Sequence, residues 1–259
     1  MTHMTYMTKS IAHRCLAALL LMGAAVLTVA CDSGDITDTQ VRVDSKGHNV
    51  KLTATLHGLP DLPSGYTLAL AGFQDGNNYA VMQRAITPSG EEQEVGLTLA
   101  NIGNNVNTVE LAVTNILRER ILTLATVKLE DYADQTDTIR MDIGSMDVSM
   151  TGCLQRGMLD KACVQCHGAN GRKAAGLDLT EGNTAPDLVN VASTTKPDML
   201  RVAGGNPEGS LLWQILNEGG ENILHYNHTE VISSQFKDNL AEVRTYLRRW
   251  IEKQPAAED

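Results

Sequence analysis

The sequence predicts a multidomain chain, all-β in its first half and all-α in its second. Two observations predict the halves. Short alternating apolar runs fill residues 39–147, and the apolar period changes from two to that of a helix near residue 150. A third observation marks the chemistry: Cys163-Val164-Gln165-Cys166-His167 spells C-x-x-C-H, the spacing at which two thiols and an imidazole attach one c-type haem.

The chain opens with Lys9 and Arg14 and no acid over residues 1–14, then an apolar run from Leu16 to Ala30. These are the n-region and h-region of an export signal. At 15 residues, the run is shorter than the roughly 20 that span a bilayer as a helix. Thr28-Val29-Ala30-Cys31 resembles a bacterial lipobox, with Thr28 in place of the usual Leu, and the resemblance implies lipidation of Cys31. An uncleaved N-terminal anchor is the alternative, and either way the chain is exported to the cell envelope and tethered. Residues 31–38 are polar and acidic and read as the tether. Cleavage after Ala30 removes Lys9 and Arg14, so the net charge moves from −10 to −12. Such a chain is a poor ligand for nucleic acid.

From residue 39 the expected strands come in order. Val50, Leu52, Ala54 and Leu56 alternate with polar partners up to Gly58-Leu59-Pro60. Tyr66–Phe73 and Ala80–Ile86 follow, separated by Asp75-Gly76-Asn77-Asn78. Then come Val95 to Leu99, Val109 to Val113, Ile121–Leu129 and Thr138–Ile143. Seven or eight strands with turn residues between them predict an antiparallel immunoglobulin-like or fibronectin-like sandwich. No Trp and no Cys falls here, which excludes the antibody-type core. His48 and His57 stand alone in the sequence, with no nucleophile or acid–base cluster beside them. The segment reads as a spacer or protein-contact module.

In the second half, Leu154, Met158, Leu159 and Ala162 share one face of a helix expected from Thr151 into Cys163. Asn206-Pro207-Glu208 reads as the start of a second helix carrying Leu211, Leu212, Trp213, Ile215 and Leu216, stopped by Gly219-Gly220. Ser233 or Ser234 is the expected cap of a last helix bearing Phe236, Leu240, Val243, Leu247, Trp250 and Ile251. Cys153 reads as core packing. Two readings compete with haem at the motif: a zinc site built from Cys153, Cys163, Cys166 and His167, and a thioredoxin-like redox pair.

Residues from about 150 to 253 resemble class I cytochrome c domains, in particular the planctomycete type. The matching pieces are Met158-Leu159-Asp160-Lys161-Ala162 before the haem motif, Gly176-Leu177-Asp178-Leu179, Leu200-Arg201-Val202, Gly205-Asn206-Pro207-Glu208-Gly209-Ser210-Leu211-Leu212, and Leu247-Arg248-Arg249-Trp250-Ile251. The resemblance implies an all-α cytochrome c domain over 148–259, one covalent haem c on Cys163 and Cys166, and His167 as an iron ligand. It also implies a sixth ligand from the loop before the last helix. That loop, residues 221–230, has no Met and two His, so the expected ligand is His225, with His228 the alternative and Met199 after it. Arg201 or Arg172 is then available to haem propionates.

Two imidazoles on one iron leave no site for peroxide or a gas, and the expected function is single-electron transfer to or from a redox protein. An open sixth position would instead fit a haem sensor or a peroxidase-like enzyme. A third reading makes the β-rich half a partner-binding surface served by the haem.

Overall fold

The computed structural model of the protein describes residues 47–168, 173–217 and 219–257. Cys31, the expected signal and tether, and Arg172 lie outside the described residues.

Seven strands form two sheets: β1 His48–His57, β2 Tyr66–Phe73, β3 Met82–Ala85, β4 Glu92–Ile102, β5 Thr108–Asn115, β6 Arg120–Lys128 and β7 Ile139–Asp147. One sheet has the order β4-β1-β7 and the other β3-β2-β5-β6. The alternation at Val50, Leu52, Ala54 and Leu56 sends all four inward, as a half-buried strand requires. β2 and β5 are buried over nearly their whole length, because a second apolar cluster of Ala71, Phe73, Ala80 and Ala112 covers part of their other face.

Two expectations are corrected at the level of fold class. First, the sheets are not wholly antiparallel. β7 runs parallel to β1, with Val50 opposite Ile139 and His57 opposite Asp147. Second, the second half is not an all-α cytochrome c domain. The described residues belong to one compact unit spanning Ser45–Asp259, β-rich with two sheets, in which mostly short helices share the sheets' core.

The helical part is small and broken: α1 Met150–Leu154, a π-helical turn Gln155–Leu159, α2 Asp160–Ala162, α3 Val164–His167, α4 Thr184–Leu188, α5 Leu211–Leu216, α6 His228–Gln235 and α7 Leu240–Lys253. Among the described residues only α7 exceeds eight residues. Among the described residues no helix is long and apolar enough to cross a membrane.

A single core explains why the helices do not stand apart. Leu122 of β6, Val148, Leu154, Met158, Tyr246, Leu247 and Trp250 belong to one buried cluster. Gly157 in the π turn packs so close to Leu122 that an added Cβ would meet its Cβ at 2.7 Å. Burying a leucine of this kind stabilises the fold by about 2 kcal/mol. Polar bonds tie the same faces together: Asn239 Nδ2 donates to the Ile121 carbonyl at 2.9 Å, and Arg249 donates to that of Ser64 at 3.2 Å. The Tyr66 and Tyr246 rings meet with centroids 5.4 Å apart.

Helix boundaries also move. Ser149, not Thr151, opens α1, its Oγ accepting from Gly152 N. Asn206 closes a turn on Gly209 N, and the middle helix begins only after Ser210. The expected last helix is two, separated at Phe236–Asn239, and the first of them is capped by Asn227.

Candidate functional site

Cys163, Cys166 and His167 lie three and four residues apart at the end of the helical run, so they share one face of it. Cys166 N and His167 N both donate to the Cys163 carbonyl, which tightens the turn. Both cysteines are free thiols. The Cys163 sulfur is desolvated, and burial pushes its thiol up to about 12, so it stands protonated at neutral pH.

These residues open onto a cavity of about 980 Å³. Its walls are apolar: Met158, Leu177, Leu179 and Leu188 on one side, Leu211, Leu212, Ile215 and Leu216 from α5, and Ile223, Leu224, Val231 and Ile232 from the segment after it. Polar groups, among them Lys161, Thr194, Lys196 and Arg201, occupy part of its rim. A large, mostly apolar cavity with a few placed polar groups is the form that cofactor sites take.

Two imidazoles face one another in this cavity. The His167 and His228 rings have centroids 6.2 Å apart and planes within 20° of parallel. His167 Nδ1 donates to the Ala174 carbonyl at 2.9 Å, and His228 Nδ1 donates to that of Tyr226 at 3.0 Å. A carbonyl can only accept, so each Nδ1 carries the proton and each Nε2 keeps a free lone pair. Among the described residues neither Nε2 has a hydrogen-bond partner. Desolvation lowers the basicity of both rings below the usual histidine value, and a positive charge on His167 would further disfavour protonation of His228. Neutral, tautomer-fixed imidazoles with a backbone carbonyl behind them are the form in which histidine binds metal.

The chain places His228 firmly. It is the first residue of α6; Asn227 Oδ1 caps the helix through Glu230 N at 2.9 Å. Thr229 Oγ1 donates to the carbonyls of Ile215 and Asn217, fastening α6 to the end of α5. His225 lines the cavity from an exposed position, and His228, not His225, is brought against His167. The Tyr226 ring stands edge-on to His228 at 5.2 Å. Met199 packs against the core and does not line the cavity.

The zinc reading finds no support. Cys153 is fully buried, its Sγ donating to the Val148 carbonyl at 3.3 Å, and burial pushes its thiol far up. Among the described residues no group of three or more His, Cys, Asp or Glu side chains is placed to hold a bare metal ion.

Strand register brings together one cluster that the sequence does not show. Ser145 Oγ lies 2.9 Å from His57 Nε2, and Glu92 Oε2 lies 3.4 Å from His57 Nδ1. His57 is therefore not alone. This Ser–His–carboxylate line crosses β7, β1 and β4 on the exposed side of the sheet, with Glu92 69 % exposed, where water competes for each bond.

No family model, no curated protein and no solved structure matches the chain. The resemblance to class I cytochrome c domains is thereby corrected: the residues that carried it fold as short helices on a β-rich unit, and no comparison places the chain in that family.

Proposed function

We propose that this chain is a tethered electron carrier that would hold one covalent haem in the cavity beside Cys163, Cys166 and His167, with His167 and His228 as the side chains that would bind its iron. The observation that carries the reading is the facing pair of neutral imidazoles, 6.2 Å apart, at the wall that also presents both free thiols. Cys163 and Cys166 are the thioether positions of the C-x-x-C-H motif. The apolar walls fit a porphyrin face, and a haem iron bound there supplies a one-electron ferric–ferrous couple.

The chain's own residues do the rest. The Ala174 and Tyr226 carbonyls hold the two imidazoles in the metal-binding tautomer. Leu211, Leu212, Ile215 and Leu216 exclude water and so favour the less charged ferrous state. With His167 and His228 both bound to it, a haem iron would have no position for oxygen or peroxide, which favours electron transfer over catalysis. Imidazole in place of a thioether lowers the potential.

The partner is a second redox protein met in a small, transient encounter. Envelope localisation and membrane attachment rest on Cys31 and the export signal. The test is production in a host that matures c-type cytochromes, followed by haem staining after denaturation and visible spectra with and without carbon monoxide. Covalent haem with a low-spin spectrum indifferent to carbon monoxide supports the reading. A high-spin spectrum that shifts with carbon monoxide transfers it to a sensor or enzyme, and absence of covalent haem ends it.

A further inference from the structure

The turn that holds His167 is itself held by two side chains, Arg201 and Thr194. Ala174–Gly176 is a single 3-10 turn in which Ala175 takes φ 57°, a left-handed conformation. For a residue with a Cβ that conformation costs roughly 1 kcal/mol, so the turn needs outside support. Arg201 provides it. Its Nη2 donates to the carbonyls of Ala175 at 3.2 Å and Gly176 at 3.4 Å, and its Nη1 donates to that of Asp187 at 2.8 Å. Thr194 Oγ1 adds a bond to the Ala175 carbonyl at 2.8 Å.

All three partners of the guanidinium are backbone carbonyls. They fix its direction without cancelling its charge, and among the described residues no carboxylate forms an ion pair with it. The same group lines the cavity, and the Ala175 carbonyl it holds adjoins the Ala174 carbonyl that partners His167 Nδ1.

We propose that Arg201 is a positioning residue that also raises the reduction potential of an iron carried on His167. The inference rests on the haem reading above. Ferric iron carries one more positive charge than ferrous, so a fixed, uncompensated cation close to its ligand disfavours the ferric state.

The experiment is spectroelectrochemical titration of full-length haem-loaded wild type, Arg201→Gln, Arg201→Lys and Thr194→Glu. Arg201→Gln is expected to lower the ferrous-to-ferric ratio at a given potential by on the order of tenfold, which is about 59 mV for one electron. Arg201→Lys keeps the charge and is expected to recover most of the shift. Thr194→Glu places a carboxylate against the guanidinium and is expected to shift the potential in the same direction as Arg201→Gln, which settles the matter should the latter not mature. An unchanged potential in Arg201→Gln or Thr194→Glu, or a shift in Arg201→Lys as large as that in Arg201→Gln, overturns the proposal. Wild type without covalent haem would refute the haem reading instead, a result visible before any variant is made.

Discussion

Two buried polar groupings in this molecule differ in one respect. On β5 and β6, Glu110 is only 5 % exposed, and both of its oxygens are saturated: Oε1 accepts from Thr108 and Arg120, Oε2 from Arg120 and Thr123, all at 2.7–2.9 Å. Arg120 is further enclosed by Phe73, whose ring centre lies 3.9 Å from the guanidinium carbon. In the cavity, His167 and His228 each satisfy one nitrogen through a backbone carbonyl, and among the described residues neither second nitrogen has a hydrogen-bond partner. A closed network holds a fold together, whereas an open pair costs stability unless a ligand completes it. The first is architecture and the second is a site.

The largest expected effect separates covalent attachment from everything else. Replacing Cys163 and Cys166 together by Ser is expected to abolish the haem stain of the denatured protein while the β-sheet circular dichroism persists. Loss of the sheet signal as well would mean that the two regions are less separable than this comparison holds.

Next comes the closed network. Glu110→Ala leaves Arg120 buried beside Thr108 and Thr123 without its anion, and is expected to cost about 3–5 kcal/mol. Denaturant unfolding measures it, and the visible spectrum of the folded fraction should not change. Gly157→Ala sharpens the same point from the shared core, since its Cβ must displace Leu122. Overpacking of this kind costs about 1–3 kcal/mol, and an unshifted urea midpoint would contradict the close approach.

The smallest expected effect is on pH. His167 and His228 both have folded-state basicity below the ordinary 6.5, so the unfolded chain binds more protons just below that value. Haem-free protein is therefore expected to lose stability as pH falls through 6.5 toward the lower folded values, and to lose less in His228→Ala. Urea midpoints between pH 7.5 and 5 measure the difference.

Local chemistry was legible in the sequence, and distant pairing was not. Alternation marked β1 and β4, where one buried face imposes a period of two, and apolar or β-branched runs between turn residues marked the other described strands. It could not reveal the parallel pairing of β7 with β1, which joins residues about 89 apart, nor that the helices share the core of the sheets. The Cys163–His167 spacing identified one wall of the cavity. The preference for His225 over His228 came from the resemblance, in which that position carries the ligand, and the fold brings His228 rather than His225 against His167. The signal that would have corrected this is local: Asn227 followed three residues later by Glu230 has the pattern of a capping box, which starts α6 at His228. The Ser145–His57 contact had no such signal, since only strand register creates it.

The most direct test compares single substitutions of the two loop histidines in the haem-loaded protein. His228→Ala is expected to give a high-spin ferric spectrum and a ferrous form that binds carbon monoxide, while His225→Ala stays low-spin and indifferent to it. A low-spin spectrum that survives in His228→Ala and is lost in His225→Ala would contradict the assignment of the open imidazole pair as the site.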